Sequence, residues 1–117
     1  MKTKTNCFID EQGRVYKTET LMKAATDLPV IEYQIDTEIL LEELLYWQLK
    51  NFRDYLAHYR RVTEADLTQP IILRADGYIM DGWHRIIKAL YQGLKSLPAK
   101  QFIINPEPDY INSDLII

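Results

Sequence analysis

The chain contains one cysteine and two histidines, and this scarcity removes several kinds of site. Cys7 has no second cysteine to pair with, so an internal disulfide and a zinc site of four thiolates are both excluded. His58 and His84 do not combine with Cys7 or with acidic residues in a spacing typical of zinc ligands. We therefore expect no structural metal and a reducing environment.

Long apolar runs and an excess of positive charge are also missing. No stretch approaches the roughly 20 residues of a bilayer-spanning helix, and the basic start of the chain has no apolar run of signal-peptide length. Lys plus Arg number 14 against 17 Asp plus Glu, a formal net charge of −3. The sequence predicts a cytoplasmic protein without a membrane partner, and it makes nucleic acid an unlikely ligand because no overall basic field exists.

The composition itself is that of a globular domain. Apolar residues make up 47% and charged residues 26% of the 117 residues, and no repeat or low-complexity tract divides them. We predict a single domain over residues 1–117. Its tail, residues 105–117, is expected to be flexible, to add an edge strand, or to offer its apolar end to a partner or a second copy.

Hydrophobic periodicity predicts an α+β fold with one small mixed sheet. The Asp76-Gly77 pair predicts a two-residue type I′ turn within a hairpin over 71–80. Asp36 or Thr37 is expected to cap a helix that continues through Trp47 and pairs with the next helix. The remaining predicted elements are a hairpin over 6–18, helices over 20–27, 51–67 and 83–92, and strands over 30–35 and 99–104.

The 51–67 helix carries an apolar stripe and several basic residues. The stripe has the i, i+3, i+4, i+7 spacing of a buried face: Phe52, Tyr55, Leu56, Tyr59 and Val62. The basic residues with interleaved tyrosines superficially resemble a nucleic-acid surface: Lys50, Arg53, His58, Arg60 and Arg61. We interpret the tyrosines as core and the basic residues as a solvated face.

A short segment carries the clearest chemistry. Residues 80–85, Met-Asp-Gly-Trp-His-Arg, lead from a predicted strand through a glycine directly into a helix. A helix start presents unpaired amides to an anion, and Gly82 has no Cβ to block its approach. His84 and Arg85 oppose the helix dipole there by about 0.3–1 kcal/mol, so they require an acid or a bound anion nearby. Asp81 could supply the acid, and a phosphate could be the anion.

The same residues also have interpretations that involve no bound anion. Arg85 could simply pair with Asp81, and a histidine near a helix start is often a surface residue. Lys88 lies on the same side of the helix as Arg85, where it either extends a phosphate site or, as we favour, forms a solvated ion pair.

Residues 70–102 resemble the core of the ParB/sulfiredoxin-like superfamily. The shared features are a hairpin, the turn at Gly82, a helix that opens with His84-Arg85, a Gly-Leu-Lys exit at 93–95 and a last strand near Pro98. The resemblance implies nucleotide phosphate binding by Gly82, His84 and Arg85, with Lys88 in a secondary role. It also implies ATP or CTP with magnesium as candidate ligands.

Activity is less well specified by the resemblance than the fold is. Asp81 matches an acidic position of kinase-like members, where it would serve as an acid, a base or a magnesium contact in phosphoryl transfer or nucleotide hydrolysis. Trp83 stands where sulfiredoxins carry their reactive cysteine, and Trp83-His84 replaces the Glu-Arg of partition proteins. Sulfiredoxin chemistry and centromere binding in the partition form are therefore disfavoured.

A function of another class is open as well. The same fold could serve a noncatalytic adaptor or inhibitor that docks to a protein or to a second copy through its long helices or its tail. A small DNA-associated regulator is a further alternative. Nucleotide affinity separates these hypotheses from the phosphate-binding one.

Overall fold

Two small β-sheets and four helices make up the part of the chain that the structure, a computed structural model, describes: residues 7–43 and 49–112. The helices are α1 (Thr18–Ala24), α2 (Thr37–Leu41), α3 (Phe52–Glu64) and α4 (Trp83–Tyr91). The strands are β1 (Cys7–Ile9), β2 (Arg14–Lys17), β3 (Ile31–Gln34), β4 (Ile71–Leu73), β5 (Ile79–Asp81), β6 (Ser96–Gln101) and β7 (Tyr110–Ile111). Trp47 and the apolar end at 115–117 lie outside the described residues.

The first sheet joins the two ends of the chain. Its strand order is β1-β2-β7, all antiparallel, and Val15 of β2 lies opposite Tyr110 of β7. The carboxylate of Asp109 accepts hydrogen bonds from the Lys17 amide at 2.7 Å and from the Thr20 hydroxyl at 2.8 Å. Of the alternatives for the tail, residues 110–111 therefore take the edge strand.

The second sheet is mixed, with strand order β3-β6-β4-β5. β4 and β5 form an antiparallel hairpin, α4 follows, and β6 returns parallel to β4. Because successive strand residues point to opposite faces, Ile71 enters a core with Ile86 of α4, whereas Ile72 enters a second core with Leu21 of α1. The predicted α+β class is confirmed, but the strands form two sheets instead of one, because the hairpin at the start pairs with β7 and not with the mixed sheet.

The connection between β4 and β5 differs from the predicted type I′ turn. That turn requires a positive φ at both central residues, but only Gly77 has one, at 92°. The Gly77 amide donates to the Arg74 carbonyl at 2.8 Å, and the Arg74 amide donates to the Tyr78 carbonyl at 2.7 Å. The loop therefore has three residues and ends in a bulge at Gly77, because the Asp76 carboxylate accepts from the Tyr78 amide and from the Arg74 side chain.

Two helix ends follow the predicted caps. The Asp36 side chain accepts from the Ile39 amide at 3.2 Å, as expected for the start of α2. At the end of α4, the Leu94 amide donates to the Ala89 carbonyl and the Gly93 amide donates to the Leu90 carbonyl. These two bonds form the Schellman motif expected of a helix followed by a glycine.

Several burial predictions were wrong. The stripe of α3 is not core: Phe52 is 81% exposed, Leu56 53% and Tyr59 68%. Ile39 of α2 is exposed too, and so is Tyr91, because Ala89 occupies the core-facing position at the end of α4. The strand predicted over 99–104 is β6, which ends at Gln101 and leaves the following isoleucines in solvent.

Candidate functional site

Gly82 joins β5 to α4 in the predicted place, but its surroundings are filled. The residue is buried and adopts the left-handed conformation with φ of 115°. A Cβ at this position would lie 2.5 Å from Ile71 Cγ2 and 2.8 Å from Ile71 Cβ. The missing side chain therefore lets the helix start pack against β4, which is a structural reason for glycine that involves no ligand.

Arg85 is bound on several sides by its own chain. One guanidinium nitrogen donates to the carbonyls of Gln69 at 3.1 Å and Pro70 at 2.6 Å, and another donates to Asp81 Oδ2 at 3.1 Å. The Arg85 and Asp81 side chains are each only 19% exposed. Pairing of Arg85 with Asp81 was one of the interpretations open from the sequence, and the structure contains this pair.

Lys88 reaches away from the turn toward α3. Its Nζ donates to the carbonyls of Thr63 at 2.8 Å and Ala65 at 2.7 Å, where α3 ends. A cation is favourable there because the last carbonyls of a helix carry partial negative charge. The favoured interpretation of Lys88 as a solvated ion pair was wrong, because its acceptors are main-chain oxygens of a neighbouring helix.

His84 and His58 meet where α3 packs against α4. His84 Nε2 lies 3.2 Å from His58 Nδ1, within hydrogen-bond distance. Burial, with smaller effects from the nearby His58, Arg61 and Arg85, lowers the pKa of His84 to about 4. Burial and Arg61 also lower the pKa of His58. His84 is therefore neutral at pH 7 and brings no positive charge to a phosphate.

The main chain at the start of α4 keeps one property of an anion site. Its N-cap residue, Gly82, makes no side-chain cap, and its first turn contains no acidic residue. The predicted site residues are thus brought together only in part: Asp81, Gly82 and Arg85 meet at the turn, whereas His84 and Lys88 contact α3.

Comparisons of the chain with protein-family models, curated proteins and solved structures found no match. The resemblance of residues 70–102 to the ParB/sulfiredoxin-like superfamily stays a prediction. Within residues 7–43 and 49–112, no three His, Cys, Asp or Glu side chains are grouped so that they could hold a metal ion. None of the helices in these two ranges is long and apolar enough to span a bilayer.

The surface that the sequence interpretation missed is the outer face of α3. Its start is well defined, because Asn51 Oδ1 accepts from the Asp54 amide at 3.0 Å and Asp54 Oδ2 accepts from the Lys50 amide at 2.9 Å. The helix then packs on α4 through the side that carries His58. Its apolar stripe consequently faces solvent.

This face borders an open groove of about 580 Å³, which we call the α3 groove. Of the residues that the structure describes, seven line it: Leu49, Lys50, Asn51, Phe52, Tyr55, Leu56 and Tyr59. The sequence signal for the stripe was present, but periodicity states only that a helix has an apolar face and not what covers it. Two further cations, Arg53 and Arg60, are exposed on the same helix.

Proposed function

We propose that this protein is a noncatalytic docking module that binds a helical segment of a partner protein in the α3 groove. A single observation carries the proposal: an amphipathic helix presents its apolar stripe to solvent, with Phe52, Tyr55, Leu56 and Tyr59 each more than half exposed. Contiguous exposed apolar patches of this kind mark interaction sites, and aromatic residues are frequent energetic anchors in them.

The energetics of the stripe support docking. Burying one large apolar side chain that is otherwise exposed contributes about 1.5–3 kcal/mol. The four side chains lie at positions 52, 55, 56 and 59, the spacing with which one helix packs against another. The tyrosine hydroxyls can remain hydrated at the rim while the rings are covered.

The basic residues of the turn support docking over nucleotide binding. A phosphate at Arg85 would have to compete with the Gln69 and Pro70 carbonyls and with Asp81. Lys88 would have to leave the end of α3, and His84 is neutral. These side chains already have the acceptors that a ligand would otherwise provide.

The experiment is a selection of helical peptides on the whole chain, followed by measurement of their affinity for two variants. Selected peptides should lose at least tenfold in affinity for Phe52→Ser/Leu56→Ser, because the apolar floor of the groove is gone. They should bind Tyr91→Ser like the unchanged protein, since Tyr91 is a matched exposed aromatic residue on α4, at 90% exposure. Equal binding to both variants, or no selected peptide at all, would refute the proposal.

A phosphate-binding role is the second candidate, favoured by the absence of a side-chain cap and of acidic residues in the first turn of α4. A nucleotide would be held by the amides of residues 83–85, with Arg85 released from Asp81. Titration of amide resonances with ATP, CTP and GTP, with and without magnesium, tests this candidate. It is rejected if millimolar nucleotide leaves those amides unmoved, and phosphate release that Asp81→Asn abolishes would extend it to catalysis.

A further inference from the structure

The α3 groove has a charged rim as well as an apolar floor. Lys50 lines the groove and is exposed, and Arg53 and Arg60 are exposed on the helix that forms its floor. The four ion pairs among the described residues involve none of these cations. The whole chain carries a formal charge of −3, so this local positive rim is opposite in sign to the molecule as a whole.

The geometry of α3 places Arg53 and Arg60 on one side of the stripe, with the exposed carboxylate of Glu64 one turn beyond Arg60, past the end of the stripe. Arg53 and Arg60 are seven residues apart, so they lie on the same flank of the helix, two turns from one another. The stripe from Phe52 to Tyr59 extends for about 10 Å at a rise of 1.5 Å per residue. The other flank, with His58, is turned toward α4.

Given the proposed docking function, we propose that the occupant of the α3 groove is an acidic amphipathic helix. Apolar residues of the partner at i, i+3, i+4 and i+7 cover Phe52, Leu56 and the two tyrosines. Asp or Glu residues along one flank of the partner pair with Arg53 and Arg60, whose planar guanidinium groups suit carboxylates. Lys50 provides a third positive charge at the start of the groove.

A second copy of this chain fits the surface less well. In a two-fold antiparallel packing of α3 on itself, equal flanks meet, so Arg53 of one copy would lie against Arg60 of the other. This juxtaposition is repulsive. An acidic partner turns the same flank into an attractive one.

Polyanions such as nucleic acids or anionic bilayers also fit the surface less well than a short acidic helix. Their charge extends far beyond a rim of three cations and meets a protein whose net charge is −3. A short peptide experiences mainly the local rim, because charges separated by more than about 8 Å are screened at physiological ionic strength. Leu56 in the stripe adds an aliphatic contact that base stacking does not use.

The test uses three labelled peptides of about 16 residues, long enough to form a helix with a suitable sequence. All share one leucine stripe at i, i+3, i+4 and i+7, and their flanks are Glu, Gln or Lys. Fluorescence anisotropy with the whole chain should show the Glu peptide binding about fivefold to tenfold tighter than the Gln peptide, and the Lys peptide weakest. At 1 M salt the difference should fall below about twofold, since the screening length is then about 3 Å.

Two double variants, each lacking two positive charges, show which cations cause the preference for Glu flanks. Arg53→Gln/Arg60→Gln should reduce the preference for Glu flanks to about twofold or less, the part that Lys50 still provides, while leaving the affinity for the Gln peptide within about twofold. Lys23→Gln/Lys95→Gln removes two exposed cations outside the groove and should preserve the preference.

The outcomes separate the partner chemistry from the docking function. Equal affinity for the three peptides, with loss of all binding in Phe52→Ser/Leu56→Ser, would refute the acidic partner and leave the docking function standing. Absence of binding by every peptide would refute both. Concentration-dependent dimerisation through the groove would assign the groove to a second copy of the chain. Binding of an oligonucleotide or an anionic vesicle that the arginine substitutions abolish would assign the groove to a polyanion. Either result overturns the proposal.

Discussion

Helices α4 and α3 use similar residues in opposite ways. At α4, Arg85 and Lys88 turn inward and donate to oxygen atoms of the chain itself. At α3, Arg53 and Arg60 are exposed beside an apolar stripe that nothing in the described residues buries. The cations of α4, where the sequence motif suggested a phosphate site, already have acceptors within the protein. The cations and the apolar stripe of α3 are exposed, although the sequence pattern indicated that the stripe is core.

This difference shows how a binding surface is recognised. Residue types such as Gly, His and Arg at a helix start are compatible with a phosphate site and with a packed junction. Satisfied hydrogen bonds and filled space identify the junction, whereas exposed apolar area identifies a surface that can gain energy from a partner. Four substitutions or titrations test the contrast, beginning with the largest effect.

Gly82→Ala should destabilise the protein most, by about 3 kcal/mol or more, because the new Cβ would overlap Ile71 and the backbone has a positive φ. Urea denaturation followed by circular dichroism measures the effect. Gly77→Ala is the matched control: its φ is 92°, but nothing lies within 4 Å of the added Cβ, so we expect a loss of about 1 kcal/mol. Equal losses in the two variants would contradict the close packing of Gly82 on β4.

Arg85→Ala should cost about 2–3 kcal/mol of unfolding free energy, because it leaves Asp81 and the carbonyls of residues 69 and 70 without their donor. Arg53→Ala, on the open surface of α3, should change the same quantity by less than about 0.5 kcal/mol. Denaturant unfolding of both variants under identical conditions provides the comparison. If Arg85→Ala proves as mild as Arg53→Ala, Arg85 is available to a ligand and the phosphate-binding candidate gains support.

Acidification should weaken the junction of α3 and α4. His84 has a folded pKa of about 4, below its ordinary value of 6.5, so the unfolded chain takes up protons first as the pH falls. Its contribution, which solvent screening of the partly exposed ring reduces to on the order of 2 kcal/mol, is fully present above pH 6.5 and is lost as the pH falls from about 6.5 to about 4. The measurement is unfolding free energy against pH.

The effect of the histidines on stability occurs in its own pH range and can be checked with a double variant. The pKa of Asp76 is lowered to about 2, so protonation of this carboxylate reduces stability only at more acid pH. The range from pH 6.5 to 5 therefore reports mainly on the histidines. His58→Asn/His84→Asn should flatten the profile there. A slope that persists in this double variant would show that other groups titrate.

Phe52→Ser/Leu56→Ser should have the smallest effect on stability, within about 0.5 kcal/mol of the unchanged protein, because both side chains are more than half exposed. Thermal and urea unfolding measure it. A loss of about 2 kcal/mol or more would show that the chain itself covers the stripe, and the contrast between the two helices would disappear.

Local features were predictable because their causes are local. The Asp36 cap, the exit from α4 at Gly93, the strand at 31–34 and the hairpin feeding α4 all depend on residues within a few positions of one another. The turn type at 75–77 was wrong although local, since Asp76 directs its carboxylate to the Tyr78 amide instead of adopting a positive φ.

The candidate site was predictable only as a set of residues. The pairing of Arg85 with Asp81 follows from their spacing of four positions. The contacts of Lys88 with Thr63 and Ala65, and of His84 with His58, join residues more than 20 positions apart. No pattern within one segment contains that information.

The order of residues along the chain was enough to establish helices and strands, their caps and the existence of an apolar stripe on α3, because these follow from backbone geometry and short-range spacing. The direction in which that stripe points, and whether the cations of α4 are free or bound, depended on how α3 packs against α4. Burial depends on two surfaces in contact. The sequence of one helix therefore shows that its face is apolar, but not whether another part of the molecule covers that face.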